Sequence, residues 1–312
     1  TAKSEVMTDK DCYEVDFGNE VVVASGEHRW LTFSKVERKQ LPRRTPEYRE
    51  RRRATRPKRG TGQRPYLVER NKNQVHEVLS PPTGTIRTTE EMVNTPLRVR
   101  NKESNYTVPF AKALELPEIE LPIDPYLLGV WLGDGSTGAG AITTADDEIV
   151  EAFQNLGYVL RKRAGYTYGV YKLLVKLRET GVLGNKHIPL QYMCASVEQR
   201  LALFQGLMDT DGYCDDRGRC EFTSTRLELA EGVLELARSL GIAANMSTGR
   251  ATLYGREISA KYRIHFIADL PVFRLTRKLE RVKPPQKQKW HSIRDIRPVD
   301  PVPVQCIAVD SP

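Results

Sequence analysis

Two short runs of this sequence end an apolar stretch on an aspartate followed by glycine. One is Leu127-Leu128-Gly129-Val130-Trp131-Leu132-Gly133-Asp134-Gly135, and the other is Phe204-Gln205-Gly206-Leu207-Met208-Asp209-Thr210-Asp211-Gly212. In each, a glycine stands five residues before the acid: Gly129 before Asp134, Gly206 before Asp211. A glycine that faces another helix lets two backbones approach closely. If the two helices pack through these glycines, both carboxylates arrive at one end of the seam. Carboxylates that close repel unless a divalent cation sits between them, and hard oxygen ligands suit Mg²⁺. Such a cation positions water and stabilises charge on a phosphate being cleaved. One Asp-Gly alone is explained by a helix ending there; two in register within a repeat point to function.

The positioning elements can be read from caps and periodicity. Pro125 suits the first residue of a helix whose N-cap is Asp124. Ser196 with Gln199 forms a capping box opening a second helix. Val197, Leu201, Phe204, Leu207 and Met208 keep helical spacing along it. After each helix comes a similar series: Thr143-Thr144 then a helix from Ala145 to Gly157, and Thr223-Ser224 then a helix from Thr225 to Gly241. The first threonine-to-glycine interval is 14 residues and the second 18, so the second helix should be about one turn longer. Each half then supplies strand-like residues (Val170–Leu177; Lys261–Ile267), a further helical stretch, and a lysine near proline, Lys186 before Ile188-Pro189 and Lys283 before Pro284-Pro285. The fold class expected is α+β, built on an αββαββα repeat of roughly 75–95 residues. Upstream, residues 12–34 read as β, with Gly18-Asn19 as a turn, and Thr88–Glu91 is a capping box.

The chain has 312 residues, of which 39% are hydrophobic and 8% aromatic. That is enough for two domains and excludes wholesale disorder. No apolar run approaches the roughly 18–20 residues of a membrane span, and Thr1–Glu5 is too polar for a signal peptide. Five scattered cysteines (Cys12, Cys194, Cys214, Cys220, Cys306) argue for a reducing compartment, and the location expected is cytoplasmic. Cys214 and Cys220 lack zinc-site spacing, and His76, His187, His265 and His291 read as ordinary solvated or core histidines. The net charge is +8. Residues 35–72 carry 15 Lys/Arg and 4 Asp/Glu, a net of +11, which leaves −3 for everything else. Too poor in apolar residues to pack, that segment reads as a loop or arm.

The two acidic runs resemble the paired motifs of LAGLIDADG homing endonucleases, and Leu121–Pro285 is similar to their endonuclease domain throughout. The resemblance implies a Mg²⁺-dependent, site-specific double-strand DNA endonuclease that leaves 3′ overhangs, with Mn²⁺ able to substitute. Asp134 and Asp211 would be the metal-binding catalytic acids, and Lys186 the catalytic-site lysine. In the second half that place falls to Lys283, with Lys261 as runner-up. The family's sheets form a saddle in the DNA major groove. Tyr166, Tyr168, Tyr171, Lys172, Lys176, Arg217, Arg219, Arg256 and Arg263 are then the candidates for DNA contact. The partner implied is the intein-less allele of a host gene, bound by a monomer with internal pseudo-symmetry.

The flanks resemble a second family. Gly18–Thr32 looks like an internal block of an intein's all-β Hint splicing domain, with Ser25 in place of its threonine. His28 would hold the scissile amide and protonate the leaving nitrogen. Pro303–Pro312 resembles the penultimate splicing block. Trp30 beside His28, with Cys306 in the late block, resembles class 3 inteins, in which an internal cysteine attacks the N-terminal junction. The blocks are closest in style to those of inteins in replicative DNA helicases of mycobacteria and their phages. The terminal splicing blocks are lacking, so this chain is not expected to splice without them; the extein would be the partner in a full precursor.

The organisation expected is splicing domain over 1–36, a basic insertion or DNA-binding arm over 37–74 (Arg43, Arg44, Arg51, Arg52 and Arg53 its candidate contacts), splicing domain or connector over 75–104, the endonuclease over 105–285 with halves 121–190 and 196–285, and splicing domain again over 286–312. Two other functions fit the same residues: a DNA-binding module with a decayed nuclease, and a protein whose main activity is autocatalytic splicing.

Overall fold

The computed structural model describes residues 2–18, 20–41, 83–253, 256–285 and 290–308. Arg43, Arg44, Arg51, Arg52 and Arg53, and most of the basic segment, lie outside the described residues.

The chain divides into two units: residues up to Phe110 with those after Pro285 form one, and Ala111–Pro285 the other. The first is β-rich, and its sheets join chain from both sides of the second. Asp295–Val299, Cys12–Asp16 and Val21–Ser25 pair side by side, and Trp290–Ser292, Tyr106–Pro109, Arg29–Ser34 and Thr85–Thr88 form a second sheet, antiparallel throughout. Ala2–Lys3 pairs with Ile307–Ala308. Its two short helices, Lys35–Gln40 and Thr89–Val93, both open on complete capping boxes, Ser34 with Glu37 and Thr88 with Glu91. Val15, Met92, Tyr106, Ile293 and Ile296 are its buried core.

The second unit is α+β. In chain order it comprises α1 (Pro125–Asp134), β1 (Ala141–Thr143), α2 (Asp147–Asn155), β2 (Leu160–Lys162), β3 (Thr167–Val170), α3 (Leu173–Glu179), α4 (Leu190–Met193), α5 (Val197–Asp211), β4 (Gly212–Cys214), β5 (Cys220–Ser224), α6 (Leu227–Ser239), β6 (Asn245–Leu253), β7 (Arg256–Phe266) and α7 (Thr276–Leu279). The three-stranded sheet β2-β3-β1 and the four-stranded sheet β4-β5-β7-β6 are antiparallel. In the first sheet a lone bridge, Gly135 to Ile142, stands where β4 pairs with β5 in the second. Helix α2 has 9 residues and α6 has 13, the one-turn excess expected from the intervals in the sequence.

Two corrections follow. Residues 170–177 do not form a strand: β3 stops at Val170 and 173–179 are helical. Lys172 breaks the run at a left-handed φ of 62°, and Leu173, Leu177 and Val182 then face the core. A short apolar run cannot distinguish strand from buried helix by periodicity alone. Lys176 therefore lies on a helix, not on a sheet.

Helices α1 and α5 form the centre. Asp124 caps α1 through Leu127 N–H (3.2 Å), with Pro125 following, and Ser196 and Gln199 cap α5 reciprocally. Every residue of α1 from Pro125 to Leu132 is buried, so this helix is apolar all round, as a central helix must be. The Tyr192 hydroxyl contacts both the N–H and C=O of Ile123 (3.1 and 2.9 Å), fixing the chain just before α1. The seam is closed by glycine. A Cβ on Gly129 would lie 2.3 Å from the Leu203 carbonyl oxygen, and one on Gly206 would lie 2.2 Å from that of Tyr126. The obstacle in both cases is backbone, which cannot step aside as a side chain can. Among the described residues no helix is long and apolar enough to cross a membrane.

Gly129→Ala or Gly206→Ala must therefore force the helices apart. The expected loss is about 3 kcal/mol or more of unfolding free energy, the upper end for core overpacking, read by urea denaturation. Gly138→Ala, where an added Cβ meets nothing within 4 Å, is the control and should unfold like wild type.

Candidate active site

The seam delivers Asp134 and Asp211 to the same end, each as the last residue of its helix. A Cβ on Gly133 would sit 2.0 Å from Thr210 Oγ1 and 3.4 Å from Asp211 Oδ2, which places the Asp211 carboxylate beside the residue preceding Asp134. Both acids keep an exposed edge, open to an incoming group. Burial of its inner side and then the Asp134 charge push Asp211 up to about 6. Burial raises Asp134 as well. The C-termini of two helices add negative potential here.

Two lysines answer that charge. Lys186, only 5% exposed, donates from Nζ to the Gly133 carbonyl at 2.8 Å and lies 5.2 Å from the centre of the Trp131 ring. Burial draws its pKa down to about 8, opposed by Asp211 and Asp134. At the end of α5 the second lysine is Lys278. Its Nζ donates to the carbonyls of Met208 (3.1 Å), Asp209 (2.7 Å), Thr210 (3.3 Å) and Gly212 (2.7 Å). Its charge reaches both Asp134 and Asp211, and burial lowers its pKa.

The lysine at the end of α5 is therefore Lys278 and not Lys283, the residue expected from the sequence. Lys283 donates instead to the Asp216 carbonyl in the β4–β5 turn, and Lys261 stands on β7 opposite Gly249. Nothing in the sequence singles out Lys278. It is selected by the segment after β7, which brings α7 to the end of α5.

Two carboxylates suit a hard cation, and among the described residues no third His, Cys, Asp or Glu joins them in a metal-holding cluster. The remaining positions in such a coordination sphere fall to water and to the oxygens of a substrate.

The expected DNA contacts separate by element. Tyr168 is on β3 with Lys162 Nζ 5.8 Å from its ring centre, and Tyr166 is exposed just before it. Exposed Tyr171 and Lys172 follow β3, with the ammonium 5.4 Å from the ring. Arg217 and Arg219 are in the β4–β5 turn, where Arg219 pairs with Asp215 at 3.0 Å. Arg256 opens β7 and is exposed. Arg263 stands mid-strand between Thr223 and Ser247, its buried Nε without a partner. Lys176, on α3, instead lies over the Tyr158 ring. A polar row missed in the sequence crosses the same strands as Arg263: Thr223 Oγ1 donates to Glu221 (3.0 Å), whose other oxygen is 3.2 Å from His265 Nδ1, and His265 Nε2 is 3.0 Å from Ser247 Oγ.

In the β-rich unit, His28 and Trp30 stack edge-on with ring centres 4.6 Å apart. Trp30 Nε1 donates to Thr89 Oγ1 (2.9 Å), and Thr89 N–H donates to the His28 carbonyl. Partial burial lowers the His28 pKa, favouring neutral imidazole. Ser25 closes the turn by accepting the His28 N–H at 3.1 Å. Cys306 is an exposed free thiol whose backbone N–H donates to Ser4 Oγ at 3.0 Å. Lys10 pairs with Glu27 at 3.1 Å.

Residues 198–270 match the family model of the LAGLIDADG-like domain. Over 99% of its length the chain is 35% identical to the replicative DNA helicase DnaB of Mycobacterium intracellulare, and it spans 49% of that protein. It thus covers about half the length of that relative. Among solved structures, mesophilic variants of the homing endonuclease I-DmoI are 15% identical with a TM-score of 0.33, over 51% of this chain and 86% of theirs. I-DmoI in complex with DNA and Mn is 15% identical with a TM-score of 0.32, over 55% and 96%.

The acid pair carries a consequence for stability. A carboxyl whose folded pKa is raised is stabilising while protonated and becomes a penalty as pH rises through the folded value, here about 6. Solvent at the exposed edge screens part of that penalty. Asp211→Asn should therefore raise the melting temperature of the metal-free protein at pH 8 and leave it nearly unchanged at pH 4, as read by calorimetry.

Proposed function

The chain carries a LAGLIDADG-like domain and shares nearly its whole length with part of a replicative DNA helicase, and from that premise we propose that it is an intein with an embedded homing endonuclease that cuts double-stranded DNA. The observation that carries this reading is the pair of acids at adjoining helix ends, each helix ended by its own lysine.

Asp134 and Asp211 would hold Mg²⁺ or Mn²⁺. When bound, the cation supplies Lewis acidity to the scissile phosphate and orients a water. The exposed edges of the acids admit the phosphate, and the buried faces of the helices fix the carboxylates so that little reorganisation is needed. Lys186 and Lys278 place ammonium groups beside the phosphate and offset its growing charge. The lowered pKa of Lys186, about 8, lets it move a proton near neutral pH. The halves 121–190 and 196–285 are a pseudo-twofold pair in which each sheet offers its outer face to the major groove. On those faces Tyr168, Lys172, Arg217, Arg219, Arg256 and Arg263 meet the duplex, and the cut leaves 3′ overhangs. Residues 37–74 act as a basic arm on flanking phosphates.

The β-rich unit is a Hint splicing domain of class 3 type. Cys306 supplies the nucleophilic thiolate, and His28, held by Trp30 and Ser25, protonates the leaving nitrogen. The host segments flanking the intein are its partners.

Two experiments test these roles. With a duplex of the intein-less host allele and Mg²⁺, wild type should cut both strands. Asp134→Asn and Lys278→Met should lose at least about 10²-fold in rate, the scale for a misplaced or missing catalytic group, whereas Lys283→Met should cut like wild type. Specific binding without cleavage in either Mg²⁺ or Mn²⁺ would leave a DNA-binding module only. In a precursor carrying both flanking host segments, Cys306→Ala should abolish ligated exteins on a gel; undiminished ligation would remove the cysteine from the reaction.

A further inference from the structure

Lys278 is held in place by the four residues before it, which are anchored to three carboxylates. The backbone N–H of Arg274 reaches both oxygens of Asp209 (3.1 Å each), and that of Leu275 reaches Oδ1 at 3.2 Å. Thr276 donates its N–H and its hydroxyl to Glu148 Oε2 (3.1 and 2.9 Å). Arg277 grips Asp146 with two nitrogens (3.0 and 2.8 Å). The Lys278 ammonium then turns back onto the carbonyls of α5. The strap thus spans α2, through Asp146 and Glu148, and α5, through Asp209.

Asp209 is the hub of this arrangement. It is 2% exposed and also accepts the Tyr126 hydroxyl at 2.9 Å. It therefore offers a buried anion to four donor contacts, the setting in which charge-assisted bonds are strongest. It stands two residues before Asp211 on the same helix. α5 thus fixes the strap with a carboxylate, and the strap returns an ammonium to α5. The matching position of the first motif is Leu132, a buried apolar residue. No strap is fastened there, and Lys186 reaches the end of α1 on its own stem.

We propose that Asp209 is a positioning residue for the cleavage reaction, acting through Arg274 and Leu275 to set where the Lys278 ammonium lies. The proposal rests on the endonuclease reading for Lys278. It requires Asp209 to affect turnover through that lysine and not through DNA binding or the fold at large.

A double-mutant cycle decides it. In single-turnover cleavage of the host-allele duplex, Asp209→Ala should slow the reaction by about tenfold or more, since small displacements of a catalytic group carry costs of that order or larger. Affinity for the same duplex in Ca²⁺ should be unchanged. Asp209→Asn, which keeps an oxygen for both backbone amides, should recover most of the rate. In a Lys278→Met background the Asp209→Ala change should have no further effect. In the metal-free protein, hydrogen exchange at the Arg274 and Leu275 amides should quicken in Asp209→Ala. A persisting slowdown in the Lys278→Met background, or an equal loss of affinity, would overturn the proposal. Failure of wild type to cleave at all would instead overturn the endonuclease reading. Should Asp209→Ala not fold, the same cycle is run with Glu148→Ala, which frees Thr276 at the surface and should slow cleavage several-fold only while Lys278 is present; an equal slowdown without Lys278 rejects the strap.

Discussion

The second unit depends on one constraint: two helix backbones must touch without side chains between them. Gly129 and Gly206 meet the opposite backbone at distances that exclude even a methyl group. Dispersion and close packing act there over the full contact of two helices. The consequence runs beyond stability. A seam this tight leaves no freedom in the relative height of α1 and α5, so the residues at its end are fixed as well. Asp134 and Asp211 are adjacent because the glycines five residues earlier are adjacent.

That adjacency concentrates negative charge, and the rest of the site offsets it. Two carboxylates and two helix C-termini face the same space, and among the described residues Lys186 and Lys278 oppose them. Both ammonium groups are spent on backbone carbonyls rather than on a direct ion pair with either acid. The carboxylates therefore keep lone pairs for a cation, and burial followed by their residual repulsion raises Asp211. A site whose charges were fully paired within the protein would be more stable and would bind a cation less well.

The parts of this architecture that a sequence can reveal are those governed by local chemistry. Asp124, Ser196 and Thr88 cap helices because their side chains reach the next N–H groups, a property of four consecutive residues. The lengths of α2 and α6 follow from interval counting. Local chemistry misleads at residues 170–177, where Leu173, Leu174 and Val175 suit strand and helix equally and the left-handed turn at Lys172 decides. The site divides in the same way. The acids and glycines announce themselves by repetition, and Lys186 by its place in a short block. Lys278 and Asp209 carry no such mark. Their partners are more than 60 residues apart in sequence, and the first motif offers no counterpart of Asp209 from which to infer it.

That inequality between the halves has a mechanical meaning. Leu132 sits among apolar neighbours and could not fasten anything polar, while Asp209 fastens a strap; Gly133 makes room where Thr210 fills it. The two halves reach the same arrangement of acid and lysine by different means, one through a buried stem packed on Trp131, the other through a chain segment tied at every residue. A lysine on its own stem is placed by the packing of one helix end. A lysine on a tied segment is placed by α2 and α5 together, so its position reports whether both halves are correctly seated. The placement of Lys278 is thus coupled to the integrity of the seam in a way that of Lys186 is not, and a loosened seam should displace Lys278 before Lys186.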